Sequence, residues 1–254
     1  MVSRVLVFAY SLACYAAGFA ALVYAIGFVG NYIVPKTIDS GTPVDLTTAL
    51  VTNLPLLALF ALQHSIMARQ GFKRFWRKIV PEAAERATYV LASAVTLYVL
   101  YQQWKAMPSA VWDLTDTDAA GLLTGLYFAG WAIVFISTFL INHFELMGLQ
   151  QSFSHLIDVA QEPPRFRTPL FYKMVRHPIY TGLLLAFWCT PLMTWGHLIF
   201  AVATTGYIFA GIVFEERDLV SIFGERYREY RRTVPMVIPL ASKRRRGSRA
   251  HATD

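Results

Sequence analysis

Five long runs without a charged residue divide this 254-residue chain. Asp, Glu, Lys and Arg are missing from residues 5–35, 46–68, 87–104, 119–144 and 177–214. A helix needs roughly 20 residues to cross a hydrocarbon core about 30 Å thick, so three of the first four runs suffice for a span and the third is just adequate. Only 15% of the residues are charged, against roughly 25% in ordinary soluble domains, which disfavours a soluble fold.

The fifth run is about twice as long as one span requires. Pro191 and Gly196 lie near its middle, and both residue types end or turn helices. We therefore expect a hairpin of two short helices, about 179–192 and 197–214, and leave open whether both arms cross the membrane.

Backbone groups in lipid must bond to one another, and the short alternating segments of a membrane β-barrel are missing from the sequence. The predicted fold is an all-α, multi-pass transmembrane helical bundle. It has four spans, a C-terminal helical hairpin that brings the total to five or six membrane helices, and a cytoplasmic interfacial helix. Residues 1–240 form one integral membrane domain in this prediction, and residues 241–254 form a basic, disordered cytoplasmic tail.

The distribution of basic residues predicts the orientation. Segment 69–86 carries six basic residues and the chain beyond Phe214 carries ten, whereas segment 105–118 has one basic residue and three aspartates. Cytoplasmic loops are enriched in Lys and Arg, so we expect a multi-pass protein of the cell (inner) membrane with its C-terminus in the cytoplasm. The net charge of +7 then reflects topology and attraction to membrane lipid headgroups, and no nucleic-acid partner is needed to explain it.

Histidines at the membrane edge are candidates for function, because ionisable groups there are costly. His64 lies near the cytoplasmic end of the second span, His143 near that of the fourth, and His177 at the start of the hairpin. We expect these three to converge in one polar pocket, with His197 on the far side. The alternative is that each histidine only anchors its helix. Cys14 and Cys189 both fall inside predicted spans, so neither a disulfide nor a metal site is predicted.

The stretch FYKMVRHPIYTGLL has features of an anion-binding helix start. Pro178 suits the first turn of a helix, and His177 precedes it, so free N–H groups would face the cytoplasm. An amino-acid carboxylate suits such a position, and Arg176 adds positive charge. Gly182, one turn later, leaves room for a ligand or a backbone to approach.

Adjacent Glu215 and Glu216, expected at a helix end, repel each other and need a compensating cation. S-adenosylmethionine offers an ammonium and a sulfonium, and its carboxylate fits the helix start on the opposite side. The alternative is a solvated interfacial helix whose glutamates pair with Arg86, Arg176 or Arg217.

Three motifs of the C-terminal third, RHPIYTG, EERDL and FGERYREYRRTVPMVIP, closely resemble those of the isoprenylcysteine carboxyl methyltransferase-like membrane methyltransferases. The resemblance covers about residues 170–239. Upstream runs, QHSIMAR, VPEAAERATYV, NHFELMGLQQ and PLMTWGHLIFA, are similar to the membrane-bound methanethiol S-methyltransferases, and NnrU-type membrane proteins share the style of the second helix. The resemblance implies these cofactor-binding residues: His177, Pro178, Tyr180, Gly182, Glu215 and Glu216, with Arg176, Leu219, Tyr227 and Tyr230 as additional candidates.

The implied reaction is transfer of a methyl group from S-adenosylmethionine to methanethiol, a small thiol substrate, which gives dimethyl sulfide and S-adenosylhomocysteine without a metal. Such a reaction is helped by a base that accepts the thiol proton. We expect His143 in that role, oriented by Glu145 or Asn142, and His64 as the second choice. The alternatives are a carboxyl methyltransferase acting on prenylcysteine, or a non-enzymatic NnrU-like protein or carrier. The oligomeric state is left open.

Overall fold

In a computed structural model of the chain, the residues described are 2–161, 163 and 165–239. The predicted tail, residues 241–254, lies outside them. The all-α class is confirmed, and the described helices are as follows: α1 (Val2–Gly30), α2 (Leu46–Ala68), α3 (Gln70–Trp76), α4 (Glu82–Gln103), α5 (Ala119–Ile141), α6 (His143–Leu146), α7 (Leu149–Leu156), α8 (Pro178–Trp188), α9 (Trp195–Phe223) and α10 (Glu225–Thr233).

Helices α1, α2, α5 and α9 are long and apolar enough to cross a membrane. The third predicted span corresponds to α4, whose 22 residues extend about 33 Å but are less apolar than those of the other spans. It packs against both α1 and α2, so its buried polar side chains, such as Ser93, contact protein and not lipid. The chain is an integral membrane protein.

The hairpin differs from the prediction at both ends. Helix α8 ends at Trp188, ahead of Pro191, and its 11 residues span about 16 Å, too little to cross the hydrocarbon core. Helix α9 has 29 residues and continues to Phe223, so Glu215 and Glu216 lie inside this helix and not at its end. The helix continues past this pair because arginines neutralise Glu216, as described below.

A two-stranded antiparallel sheet closes the end of the bundle opposite the start of α1, and it was not predicted. Strand β1 (Ala110–Asp113) pairs with β2 (Leu192–Thr194), which lies between α8 and α9. The Thr194 hydroxyl accepts a hydrogen bond from the N–H of His197, and this caps α9. His197 in turn donates from Nε2 to the Phe187 carbonyl at 2.9 Å. His197 therefore lies on the far side, as expected, where it joins the two arms of the hairpin.

Helix α8 is held against α5 by a close backbone contact. A Cβ atom built on Gly182 would lie 2.5 Å from the carbonyl oxygen of Gly130, and one built on Gly130 would lie 2.6 Å from that of Gly182. Both distances are too short for any side chain. The short arm is thus fixed to a full span, and the first turn of α8 faces α9.

Candidate functional site

The predicted helix start is confirmed: Pro178 is the first residue of α8 and His177 immediately precedes it. Pro178 is buried and has no N–H, so Ile179 and Tyr180 supply the first free N–H groups of the helix. His177 is also buried, and its Nε2 lies 3.1 Å from Oε1 of Glu216. The RHPIYTG motif and the glutamate pair, 39 residues apart, therefore form one site.

Glu216 is the buried centre of this site, with only 6% of its surface exposed. Arg176 donates from Nε to Oε1 at 2.7 Å, and Nε of Arg231 lies 3.3 Å from Oε2. Together with His177, these groups compensate the carboxylate from within the protein. The expected alternative, a glutamate paired with Arg176, is thus found at Glu216, which needs no external cation.

Glu215 has a different environment, because 45% of its side chain is exposed. His177 Nδ1 lies 3.8 Å from its Oε2, beyond hydrogen-bonding distance. No arginine pairs with Glu215 among the residues that the structure describes. Tyr180 of α8 interacts with the same carboxylate. Of the two glutamates, Glu215 is therefore the one whose charge is open to a ligand.

The segment after α10, residues 234–237, runs along the RHPIYTG motif and completes the site. The backbone N–H groups of Arg176 and His177 donate to the carbonyls of Pro235 and Met236 at 2.8 and 3.1 Å. The Thr181 hydroxyl donates to the Val237 carbonyl at 2.7 Å. These hydrogen bonds hold the loop before α8 in place. Residues 234–237 are called the tail segment and are distinct from the basic tail of residues 241–254.

Three of the additional candidates for cofactor binding, Leu219, Tyr227 and Tyr230, lie around the glutamates. Leu219 is half-buried on α9, one turn beyond them. Tyr230 donates its hydroxyl to the Tyr172 carbonyl at 2.5 Å, and burial raises its pKa to about 12 although the Arg176 charge acts in the opposite direction. Tyr227 is 2% exposed, and its hydroxyl has no hydrogen-bond partner among the described residues. Burial, and then the charge of Glu216, raises the pKa of Tyr227.

Gly182 makes one of the two contacts expected of it, a close approach to another backbone. Because the Gly130 backbone occupies the place of its side chain, the missing Cβ serves contact between α8 and α5. A cofactor is not needed to explain this glycine. The prediction allowed for approach of a ligand or a backbone, and the structure shows the backbone.

His64 lies where α2 meets α4, close to α9. Its Nε2 is 2.6 Å from the Tyr89 hydroxyl, and its Nδ1 is 3.1 Å from the Ser93 hydroxyl. The next residue, Ser65, hydrogen-bonds to the hydroxyl of Tyr207 on α9 at 3.2 Å. Tyr207 and Glu215 are eight residues apart on α9, which is about 12 Å along the helix axis. His64 therefore lies beside α9, about two turns before the glutamates.

His143 lies in a separate environment formed by α1 and α5. Its ring contacts the Tyr15 hydroxyl through Nε2 at 3.1 Å and the Thr138 hydroxyl through Nδ1 at 2.9 Å. It also stacks on Phe139, and burial lowers its pKa. Among the described contacts, none of these partners is shared with His64 or His177. The expected convergence of the three histidines is therefore not what the structure shows.

Asn142 and Glu145 bond to each other and not to His143. The Asn142 side chain accepts from the N–H of Glu145 at 3.3 Å, and its amide donates to the Glu145 carboxylate at 2.9 Å. Asn142 has a φ of 145°, where the chain leaves α5 and turns into α6. The predicted orientation of His143 by these two residues is thus replaced by Tyr15 and Thr138, because Asn142 and Glu145 cap the short helix.

Sequence reasoning did not single out Tyr89, Ser93 or Tyr207. Tyr89 and Ser93 are four residues apart and so share one face of α4, and this pattern of polar residues in an apolar run was the available indication. Their pairing with His64 is a contact between distant helices, which spacing along the chain does not reveal.

The donor set fits a zwitterionic sulfonium cofactor. An exposed carboxylate at Glu215 suits a cation, free N–H groups at the start of α8 suit a carboxylate, and the unpartnered Tyr227 hydroxyl can bond a polar ligand atom. These three groups belong to the motifs that first indicated the cofactor.

Comparison with known proteins identifies relatives that match most of the chain. The chain is 52% identical over 236 residues to "Methanethiol S-methyltransferase 1" of Bradyrhizobium diazoefficiens, which covers 93% of this chain and 83% of the relative. It is 48% identical to "Methanethiol S-methyltransferase" of Mycobacterium tuberculosis, over 93% of this chain and 97% of the relative. A more distant relative, "Nurim" of Rattus norvegicus, is 27% identical over 68% of this chain and 69% of its own length.

No model of a protein family matches the chain, and no solved structure matches it. The identities of 52% and 48% nevertheless extend over 93% of the chain. The chain belongs to the methanethiol S-methyltransferase family.

Proposed function

We propose that this protein transfers the methyl group of S-adenosylmethionine to methanethiol and releases dimethyl sulfide and S-adenosylhomocysteine. The proposal rests on the different environments of the two glutamates. Glu215 is exposed beside the start of α8, whereas Glu216 is neutralised within the protein. A carboxylate and free N–H groups at one site suit a zwitterion. The choice of methanethiol rests on the relatives of that name.

Glu215 binds the cationic part of the cofactor in this proposal, and the N–H groups of Ile179 and Tyr180 bind its carboxylate. Tyr227 donates its free hydroxyl. The remaining candidates, Arg176, His177, Pro178, Glu216, Leu219 and Tyr230, form the wall that holds these groups in place. The bound cofactor supplies an electrophilic methyl group with its leaving group already attached, so orientation of the thiol is the main task of the protein.

His64 accepts the thiol proton in this proposal, in preference to His143. His64 is followed by Ser65, which hydrogen-bonds to Tyr207 on α9, the helix that carries the glutamates. The partners of His143 lie on α1 and α5. A base acts only within hydrogen-bonding reach of its proton, directly or through one intermediary. Asn142 and Glu145 then have a structural role in the turn after α5.

The site lies on the cytoplasmic side of the cell membrane in this proposal. The end of the bundle that contains the start of α8 also contains the basic segment 69–86, whereas the opposite end carries Lys36 and Lys105 with several aspartates. This asymmetry follows the general enrichment of Lys and Arg in cytoplasmic loops.

The test uses purified protein in detergent with methanethiol and methyl-labelled S-adenosylmethionine. Labelled dimethyl sulfide in the gas phase is the expected result. Transfer to a prenylated cysteine and not to methanethiol would replace the substrate, and failure to bind S-adenosylmethionine by calorimetry would reject the enzyme.

The cofactor site is tested by Glu215→Gln, which keeps the shape of the side chain and removes its charge. We expect cofactor affinity to fall about tenfold, the equivalent of roughly 1.4 kcal/mol, with no change in thermal stability. Glu229→Gln, on the exposed face of α10, is the matched control and should bind as the wild type does. Equal affinities in both variants would remove Glu215 from the site.

A further inference from the structure

The hydrogen bonds around His64 determine which of its nitrogens carries the proton. The Ser93 hydroxyl donates to the Tyr89 carbonyl at 3.0 Å, so its oxygen can only accept from His64 Nδ1–H. Nε2 is then an acceptor, and the Tyr89 hydroxyl donates to it at 2.6 Å. Tyr89 therefore lies in front of the basic nitrogen of His64.

His143 has the same hydrogen-bond pattern. Thr138 donates to the Phe135 carbonyl at 2.7 Å and accepts from Nδ1–H, which leaves Nε2 to accept from Tyr15. The two histidine–tyrosine pairs are thus chemically equivalent, and only their surroundings distinguish them.

The surroundings of Tyr89 are those of the proposed site. Tyr89 lies near Tyr180 of α8 and Tyr207 of α9. Tyr180 also interacts with Glu215, and its hydroxyl lies 3.9 Å from the position of a Cβ built on Gly211, one turn before that glutamate. These neighbours place Tyr89 on the side of the bundle that carries Glu215.

Arg86 adds a positive charge beside Tyr89. Its guanidinium lies 4.9 Å from the centroid of the Tyr89 ring, and its Nε donates to the Leu146 carbonyl at 2.8 Å, which fixes its position. A cation at this distance stabilises negative charge on the phenol oxygen. Tyr15, by contrast, has ring contacts with Phe19, His143 and Phe144 and no arginine over its ring among the described contacts.

We propose that Tyr89 relays the proton of the thiol substrate to His64. The inference rests on the proposed function. The S–H bond of the thiol breaks, its proton passes to Tyr89 Oη, and the proton of Tyr89 passes to His64 Nε2. The electron pair left on the sulfur forms the new S–C bond to the methyl group, and the pair of the broken C–S bond stays on the departing sulfur as a neutral thioether. His64 gains one positive charge as the sulfonium loses one, so the net charge of the site is unchanged.

The test compares Tyr89→Phe with the matched control Tyr15→Phe. Each variant removes the tyrosine hydroxyl that bonds to a histidine and keeps the aromatic ring. We expect Tyr89→Phe to lower kcat for methanethiol about 100-fold at neutral pH, within the range of general acid–base catalysis, and Tyr15→Phe to leave it near the wild-type value. S-adenosylhomocysteine affinity, measured by calorimetry, should be unchanged in both.

The acidity of the thiol separates a relay from a structural role. With 2,2,2-trifluoroethanethiol, which releases its proton more readily, the loss in Tyr89→Phe should shrink to less than about tenfold, because less assistance is needed. The loss with methanethiol should also shrink as the pH rises toward the pKa of the free thiol. A merely structural defect would lower the rates with both thiols equally at every pH.

Wild-type kcat in Tyr89→Phe, or an equal loss with both thiols, would overturn the relay while the methyl transfer itself stands. Loss confined to Tyr15→Phe would move the proton acceptor to His143. No labelled product from the wild type would reject the proposed function instead. If Tyr89→Phe does not fold, Ser93→Ala serves as the second variant. It removes the acceptor that sets the His64 tautomer and should lower kcat about tenfold, and an unchanged kcat would contradict the relay.

Discussion

The two adjacent glutamates differ both in burial and in the charged groups around them. Glu216 lies among Arg176, Arg231 and His177 with 7% of its side chain exposed, whereas Glu215 is 45% exposed beside it. A carboxylate whose charge is compensated internally holds helices together. One that is partly open to solvent can exchange its water for a cationic ligand.

Glu216→Gln is therefore expected to destabilise the fold. It would leave the Arg176 side chain, 9% exposed, with an uncompensated charge, which costs about 3 kcal/mol in unfolding free energy. Thermal and denaturant unfolding in detergent would measure this. Glu215→Gln is the matched comparison and should unfold as the wild type does. Equal stability of the two variants would contradict the division of roles.

Tyr230 provides a prediction on pH. Burial raises the pKa of its phenol to about 12, whereas an unfolded tyrosine titrates near 10. The folded state thus favours the neutral phenol, so this stabilisation is complete below about pH 10 and is lost as the pH rises to about 12. The unfolding midpoint of the wild type should fall more steeply over this window than that of Tyr230→Phe. Parallel curves would show that Tyr230 does not contribute.

At the scale of helices, the site depends on a short arm that does not cross the membrane by itself. Helix α8 is held on one side by the glycine contact with α5 and on the other by the tail segment. Small residues at such a contact allow two backbones to approach closely in lipid. The position of His177 relative to α9 is therefore set by α5, far from the reacting groups.

Gly182→Ala tests this dependence. The added methyl group would lie 2.5 Å from the Gly130 carbonyl oxygen, and we expect a loss of about 1–3 kcal/mol in stability through overpacking, with weaker cofactor binding. Gly125→Ala, on the same α5, is the control because nothing lies within 4 Å of the added atom. It should be neutral or slightly stabilising. A neutral Gly182→Ala would show that α8 can shift freely.

At the scale of the whole molecule, the bundle has a basic end with the proposed site and an opposite end closed by the small sheet. Lys78 belongs to the first end and Asp116 to the second, and both are exposed. The proposed orientation places them on opposite sides of the membrane.

Cysteine labelling tests the orientation. In a background in which Cys14 and Cys189 are replaced by Ser, a membrane-impermeant maleimide added to intact spheroplasts should label Asp116→Cys and not Lys78→Cys. Both should react after the membrane is permeabilised, which controls for exposure. The opposite pattern in intact cells would invert the topology.

The spans were predictable because lipid excludes charge, and the breaks between α1, α2 and α5 are marked by charged residues. The ends of α8 and α9 could not be predicted in this way. No charge marks the turn after Trp188, and α9 continues past the charged residues Glu215 and Glu216. Motif order brought the RHPIYTG residues and the glutamates together correctly. The partners of His143 and His64 were missed because a single sequence carries no information on contacts such as Tyr15 with His143, 128 residues apart.

The hydrogen bonds of residues 234–237 to the loop before α8 have a consequence for biosynthesis. The described helices, α1 to α10, are all synthesised before these residues leave the ribosome. The spans can therefore be inserted while the site still lacks the segment that fixes Arg176 and His177. Under the proposed function, cofactor binding becomes possible only after residues 234–237 have joined the site. A stop codon shortly before Val234 should yield an inserted protein that does not bind S-adenosylmethionine, and a fusion partner is best attached well beyond Val237.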